Sequence, residues 1–215
     1  MSTPQITLYG TAYSGHAHRV VLFLLMQEIP YRFVHAPAEV RRSADFLRLN
    51  PLGQIPVLED GSTLIADSNA ILVYLARRYA PGSSWLPEEP LAAARVQRWF
   101  SIAAGELAYG PALARRITQW GESGDRQRAL AIGAQLFTFM DAHLRDTAYL
   151  AAAHPTLADL ACYSYTAHAP EGGLSLQPYQ HIREWLSRIE ALPRFQPMLA
   201  SKLPPEIPQH ELPLR

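Results

Sequence analysis

The chain has 215 residues, 48% hydrophobic and 18% charged, enough for one large domain or two small ones sharing an interface. Nineteen basic residues balance nineteen acidic ones, so the formal net charge is zero and nothing steers the chain to nucleic acid or an anionic membrane. The single Cys162 excludes an internal disulfide and fits a reducing compartment.

Gln5 to Tyr9 alternates polar and apolar, as a half-buried strand does. A small polar loop, Gly10 to Gly15, leads into a helix over Ser14 to Glu28, with Val20, Val21, Leu24 and Leu25 at helical spacing. No basic segment precedes the first apolar run, as a secretory signal requires. The longest strongly apolar run, Val20 to Met26, is far too short to span a bilayer. A soluble, cytoplasmic protein is expected.

Pro30 starts a strand over Tyr31 to His35, and Ala38 to Leu49 reads as one short helix ending before Asn50-Pro51. In Asn50 to Leu58 a proline stands between the β-prone Ile55 and Val57, although proline donates no ladder hydrogen bond. A cis Ile55–Pro56 bond at the start of a strand resolves this, turning the Ile55 backbone outward toward a peptide-like ligand. Pro56 to Glu59 then forms a strand, Asp60-Gly61 a two-residue turn, and Thr63 to Ala66 the antiparallel partner. Asp67 or Ser68 caps a helix to Tyr79, which Ala80-Pro81-Gly82 stops. This β-α-β-α-β-β-α order is a compact α/β unit.

Beyond the Pro81 to Pro90 linker the character changes. Leu91 to Trp120 reads as a long helix kinked at Gly110-Pro111, and Arg126 to Leu144 as a second. Thr156-Leu157-Ala158-Asp159 is a capping box opening a helix to about Ala169; replacing Asp159 by Ala should cost about 1 kcal/mol or more. Helices over Tyr179 to Ala191 and Arg194 to Lys202 follow, with an irregular Pro-rich tail from Pro204. No strand signal appears after residue 85. Tyr109, Trp120, Tyr163 and Tyr165, at helical positions, read first as core.

Four pieces in this order resemble the cytosolic glutathione transferases, over essentially the whole chain: Leu8-Tyr9-Gly10 with Ser14, Asn50 to Leu58, Asp67-Ser68-Asn69-Ala70-Ile71, and the Thr156 to Asp159 box. The resemblance implies an N-terminal thioredoxin-like α/β domain (residues 1–80), a linker (81–90) and an all-helical C-terminal substrate domain (91–215). It implies glutathione as co-substrate, no metal, a small apolar electrophile and a homodimer.

Ser14 alone reads as a helix N-cap; by resemblance its hydroxyl also donates to the thiolate of glutathione. Helix end and hydroxyl together would lower the thiol from its ordinary pKa of about 8.5 by roughly one to two units. Also by resemblance, the Ile55 backbone pairs with the cysteinyl part, Gln54 reaches the glycine end, and Pro56 shapes the loop. Asp67 faces the γ-glutamyl ammonium, and Ser68 with free helix N–H groups faces the carboxylate. Tyr13, Ile102, Tyr109 and Arg115 would line the electrophile pocket.

Tyr9 is the match to the tyrosine of other transferase classes, but as a strand residue it is expected to point into the core. His16 and His18, two apart on a helix, point about 200° from each other and cannot easily share a metal ion. His16, Arg41 or Arg42 could meet the glycine carboxylate, although solvated faces are the plainer reading. Three rival readings keep the fold: another reaction at the same site (isomerisation, reductive dehalogenation, ether cleavage or peroxide reduction), thiol transfer, and a non-catalytic scaffold. Gly15 and His16 lack the Ser and Cys of isomerase-type relatives, and Cys162 is expected deep in a helix. A scaffold has no need of Ser14, Gln54, Pro56, Asp67 and Ser68 together.

Overall fold

The computed structural model describes residues 5–205. Its N-terminal part is a four-stranded sheet in the order β2-β1-β3-β4. β1 (Ile6–Gly10) and β2 (Tyr31–His35) are parallel, so the chain crosses between them through a helix, α1 (Gly15–Met26). β3 (Val57–Asp60) runs antiparallel to β1, pairing Tyr9 with Val57, and β4 (Thr63–Ala66) runs antiparallel to β3. Val20, Leu22, Phe23 and Leu24 of α1 are fully buried, as are Ile71, Leu72 and Leu75 of α4 (Ser68–Tyr79).

Two local readings shift. The hairpin turn is Gly61-Ser62, not Asp60-Gly61, because Asp60 pairs with Thr63 in the ladder and Gly61 takes φ 59°. Asp60 stays in the strand because its buried carboxylate accepts the hydroxyls of Tyr74 (2.8 Å) and Tyr79 (2.5 Å). The single helix expected over Ala38 to Leu49 is two, α2 (Ala38–Arg41) and α3 (Ala44–Leu49). Ser43 starts the second by accepting from the Phe46 N–H at 3.2 Å. The Ile55–Pro56 bond is cis, as expected.

The rest is helical. The expected long helix is broken earlier than Gly110: α5 (Pro90–Ala104) ends at Gly105, a π-helical turn follows at Ala108–Ala112, and α6 (Leu113–Trp120) completes it. At this turn Gly110 meets Gly133 of α7 (Arg126–Leu144) so closely that a Cβ on Gly110 would lie 2.8 Å from the Gly133 nitrogen. Helix α8 (Leu157–Ala167) is buried along all 11 residues and packs against α1 and α5, the central element of the core.

The capping box that opens α8 is present, with a difference. Asp159 Oδ2 accepts from the Thr156 N–H (2.8 Å) and also from the Thr156 hydroxyl (3.0 Å). Its Oδ1 accepts from the Leu150 N–H and the Trp185 indole, both at 2.9 Å. α9 (Gln180–Glu190) follows. The helix expected over Arg194 to Lys202 is absent. Side chains from elsewhere claim that segment's backbone: His18 bonds the Gln196 carbonyl, Gln119 the Lys202 carbonyl, and Glu171 the Ser201 N–H. The tail expected from Pro204 lies almost wholly outside the described residues. No helix among the described residues is long and apolar enough to cross a membrane.

Candidate active site

A cleft of about 860 Å³ opens where the β1–α1 loop, α2 and the loop before β3 face α6 and the π-helical turn. Ser14, Tyr13, Gln54, Ile55, Tyr109 and Arg115 all line it, together with His16 and Arg41. Sequence-distant residues thus meet in one cavity.

Ser14 caps α1, its Oγ accepting from the Ala17 N–H at 3.2 Å. An accepting hydroxyl still has its own proton to donate, and here that donor stands at the positive end of a 12-residue helix. Tyr9 is no competitor. Its hydroxyl donates to Glu59 Oε2 at 2.5 Å, its ring packs edge-on against Phe46, and burial with the Glu59 contact pushes its pKa up to about 12. Cys162 is fully buried, which pushes its thiol up to about 12 as well, so it offers no thiolate.

The Gln54–Ile55 pair is held by Asn50, whose side-chain amide donates to the Gln54 carbonyl at 2.9 Å and accepts from the Leu52 N–H at 3.1 Å. Ile55 lies beyond the ladder, whose last β1–β3 pair is Tyr9 with Val57. Pro56 is buried behind it and does not line the cleft. Of the paired arginines, Arg41 lines the cleft and Arg42 does not.

Asp67 and Ser68 do not line the cleft directly. Asp67 Oδ1 caps α4, accepting from the Asn69 and Ala70 N–H groups at 2.9 Å each. Ser68 is nearly buried, and its Oγ approaches the cleft-lining His16 Nδ1 at 3.5 Å. Burial, with Arg19 and Arg116 nearby, holds the His16 pKa well below its ordinary value, so the ring is neutral. His18 points away, as the 200° offset requires. A carbonyl only accepts, so His18 Nε2–H donates to Gln196 O (2.8 Å) and Nδ1 takes the Ser164 hydroxyl (2.8 Å). Burial lowers its pKa to about 4.

The expected wall needs one correction, at Ile102, and one refinement, at Arg115. Ile102 lies in a neighbouring cavity of about 690 Å³ between α5 and α7, which Tyr109 also borders. Arg115 borders the cleft but its donors are spent inside the protein: on Glu171 Oε2 (2.5 Å), the Tyr13 carbonyl (2.8 Å) and Ser201 Oγ (3.2 Å). It braces the Ser14 loop rather than reaching a ligand. Burial alone would raise the Glu171 carboxyl, but His168 and Arg115 outweigh it and hold it at about 2. Tyr109 and Trp120, read as core, are 64% and 51% exposed, and both face the cleft. Arg19 and Glu171, and the burial of Arg115, escaped sequence reasoning because nothing in a charged residue's spacing announces burial. Among the described residues, no group of three metal-ligating side chains stands close enough to hold an ion.

Comparison with known proteins agrees with this arrangement. Residues 8–84 match the glutathione S-transferase N-terminal domain and residues 121–193 the C-terminal domain. Glutathione S-transferase 3 of Zea mays is 31% identical over 217 residues, covering 93% of this chain and 96% of that protein. Glutathione S-transferase theta-2 of Mus musculus is 28% identical over 200 residues, covering 86% and 81%. Among solved structures, a glutathione S-transferase from Pseudomonas fluorescens superposes with a TM-score of 0.84 at 32% identity, covering 91% of this chain and 99% of that one. A glutathione transferase homologue from Drosophila mojavensis, with bound glutathione, gives 0.77 at 28%, covering 87% and 88%. An N-terminal thioredoxin-like sheet, an all-helical second part and matches along both mean that this chain belongs to the glutathione S-transferase family.

Proposed function

We propose that the protein conjugates glutathione to a small apolar electrophile, using Ser14 to stabilise the thiolate. The observation that carries this reading is the Ser14 hydroxyl at the α1 N-terminus, opening into the cleft that Gln54 and Ile55 share. The thiol proton leaves to solvent, favoured by the helix end and the hydroxyl. The thiolate sulfur forms a bond to the electrophilic carbon, and the leaving group departs with its electron pair. Ile55 and Gln54 receive the cysteinyl and glycine parts, and Asp67 with Ser68 the γ-glutamyl end. Tyr13, Tyr109 and Trp120 supply aromatic surface for the electrophile, and no metal takes part.

A thiol-transfer reaction by the enzyme's own cysteine is opposed by the burial of Cys162. The same reading extends to a cytoplasmic location and to a homodimer, the homodimer alone supported by the exposure of Leu52 (76%), Leu91 (59%) and Leu64 (41%), the last on the edge strand β4. Light scattering on the purified protein should give twice the chain mass. For catalysis, retention on immobilised glutathione and conjugation of an aryl halide are measured for the wild type and Ser14→Ala. Both should be retained, with turnover lowered about 10- to 100-fold in Ser14→Ala alone; turnover indifferent to Ser14 would overturn the mechanism.

A further inference from the structure

Arg19 is the most anomalous charge in the protein. It is fully buried on α1, and its Nη1 donates to Ser68 Oγ at 3.2 Å and Asn69 Oδ1 at 2.9 Å. Its Nε and Nη2 are buried without a partner. Asp67 acts on it through space only, without an ion pair among the described residues, and burial lowers its pKa. A buried cation without a carboxylate is costly, and a purely structural role could be filled by an apolar side chain.

What Arg19 touches gives its charge a use. Asn69 accepts from Arg19 through Oδ1 and donates through Nδ2 to the Phe100 carbonyl at 3.2 Å, so its amide orientation is set from both sides. Ser68, accepting from Arg19, has its own proton left to donate. That proton has only the 3.5 Å approach to His16 Nδ1, a long contact that a ligand oxygen readily replaces. A guanidinium, a polarised hydroxyl and the N-terminus of the 12-residue α4 therefore converge behind His16, which itself lines the cleft.

We propose that Arg19 is a positioning residue for the α-carboxylate at the γ-glutamyl end of glutathione: its buried positive charge is completed by that anion, and it aims the Ser68 hydroxyl at it. This rests on the glutathione reading above. Arg19 does not touch the reacting sulfur, so its effect falls on binding of the thiol substrate rather than on the chemical step.

The test uses three thiols with one aryl halide: glutathione, 4-aminobutanoyl-cysteinyl-glycine, which lacks the α-carboxylate, and glutaryl-cysteinyl-glycine, which lacks the ammonium. Wild type should prefer glutathione to the carboxylate-free thiol by about 10- to 100-fold in kcat/KM. In Arg19→Met that preference should collapse, through a KM for glutathione raised about 10- to 100-fold with kcat moved by less than roughly threefold. The cost of losing the ammonium should stay as in wild type, and Arg19→Lys should recover part of the preference. If Arg19→Met fails to fold, Ser68→Ala in the presence of intact Arg19 carries the same comparison. A preference that survives in Arg19→Met, or in Ser68→Ala where that stands in, overturns the proposal, as does a loss confined to kcat. A wild type that saturates with glutathione but does not distinguish the carboxylate-free thiol also overturns it. Wild type showing no saturable dependence on any of the three thiols would instead overturn the glutathione reading on which it stands.

Discussion

Replacing Asp159 by alanine removes the acceptor for four hydrogen bonds: the Thr156 N–H and hydroxyl, the Leu150 N–H and the Trp185 indole. The hydroxyl can rotate to another acceptor. The two backbone N–H groups and the indole cannot, and Asp159, Thr156 and Trp185 are all 0% exposed. Three stranded buried donors at about 1–3 kcal/mol each give a range of about 3–9 kcal/mol. Relief from burying the carboxylate, and water entering the vacated space, pull this to the lower part, about 3–5 kcal/mol. Against a total stability of about 5–15 kcal/mol the variant stays folded but marginal. Urea denaturation followed by tryptophan fluorescence should show the midpoint falling by about 1–2 M, for a slope of about 2–3 kcal/mol/M. Asp159→Asn keeps an oxygen for Leu150 and Trp185 but sets an amide N–H against the Thr156 N–H, so it should fall between wild type and alanine. The KM for glutathione of the folded fraction should not change. A loss under about 1 kcal/mol in Asp159→Ala, or an asparagine variant as weak as alanine, would refute the donor count as the source of the effect.

Other consequences are open to the same kind of check. Ser14→Ala should raise the pKa of bound glutathione by roughly one unit, read from thiolate ultraviolet absorbance against pH, and lower kcat/KM about 10- to 100-fold near neutral pH. Tyr9→Phe should keep kcat/KM within about twofold of wild type, because the hydroxyl it loses serves Glu59 and not the cleft. His18, with a folded pKa of about 4 against 6.5, binds fewer protons folded than unfolded. Its contribution is therefore complete above 6.5 and lost as pH falls toward 4, about 3 kcal/mol at most. His18→Gln should flatten the acid side of a stability-versus-pH curve, and an unaltered slope between those pH values would remove His18 as its source.

Much of this fold could be read from the chain because local chemistry and tertiary placement agree. The Thr156 box, the Asp67 cap and the period-two run at β1 each specify their own element, and the arrangement of the elements carried the family. Readings failed where a distant partner decided the outcome. Asp60 looked like a turn residue until Tyr74 and Tyr79 are seen to hold its carboxylate in the strand. Arg194 to Lys202 has a helical pattern, but His18, Gln119 and Glu171 claim its backbone. Ser14, Gln54 and Ile55 do line one cleft; an N-cap position and the proline after Ile55 mark two of them, and the family resemblance marks Gln54. Arg115 borders the cleft, but its spacing on α6 says nothing of Glu171, 56 residues away, which takes its guanidinium.

The Gly110–Gly133 contact bears on how the cleft changes over time. Two backbones meet there with no side chain between them, and the turn that Gly110 belongs to carries Tyr109 and leads to Arg115. The far side of the cavity is thus seated directly on α7. A methyl group added at Gly110, which would stand 2.8 Å from the Gly133 backbone nitrogen, forces that seat to move. Such a change would alter the shape of the cavity without replacing any residue that lines it. Selectivity can therefore drift while every lining side chain stays the same, and two relatives with identical linings can present differently shaped clefts.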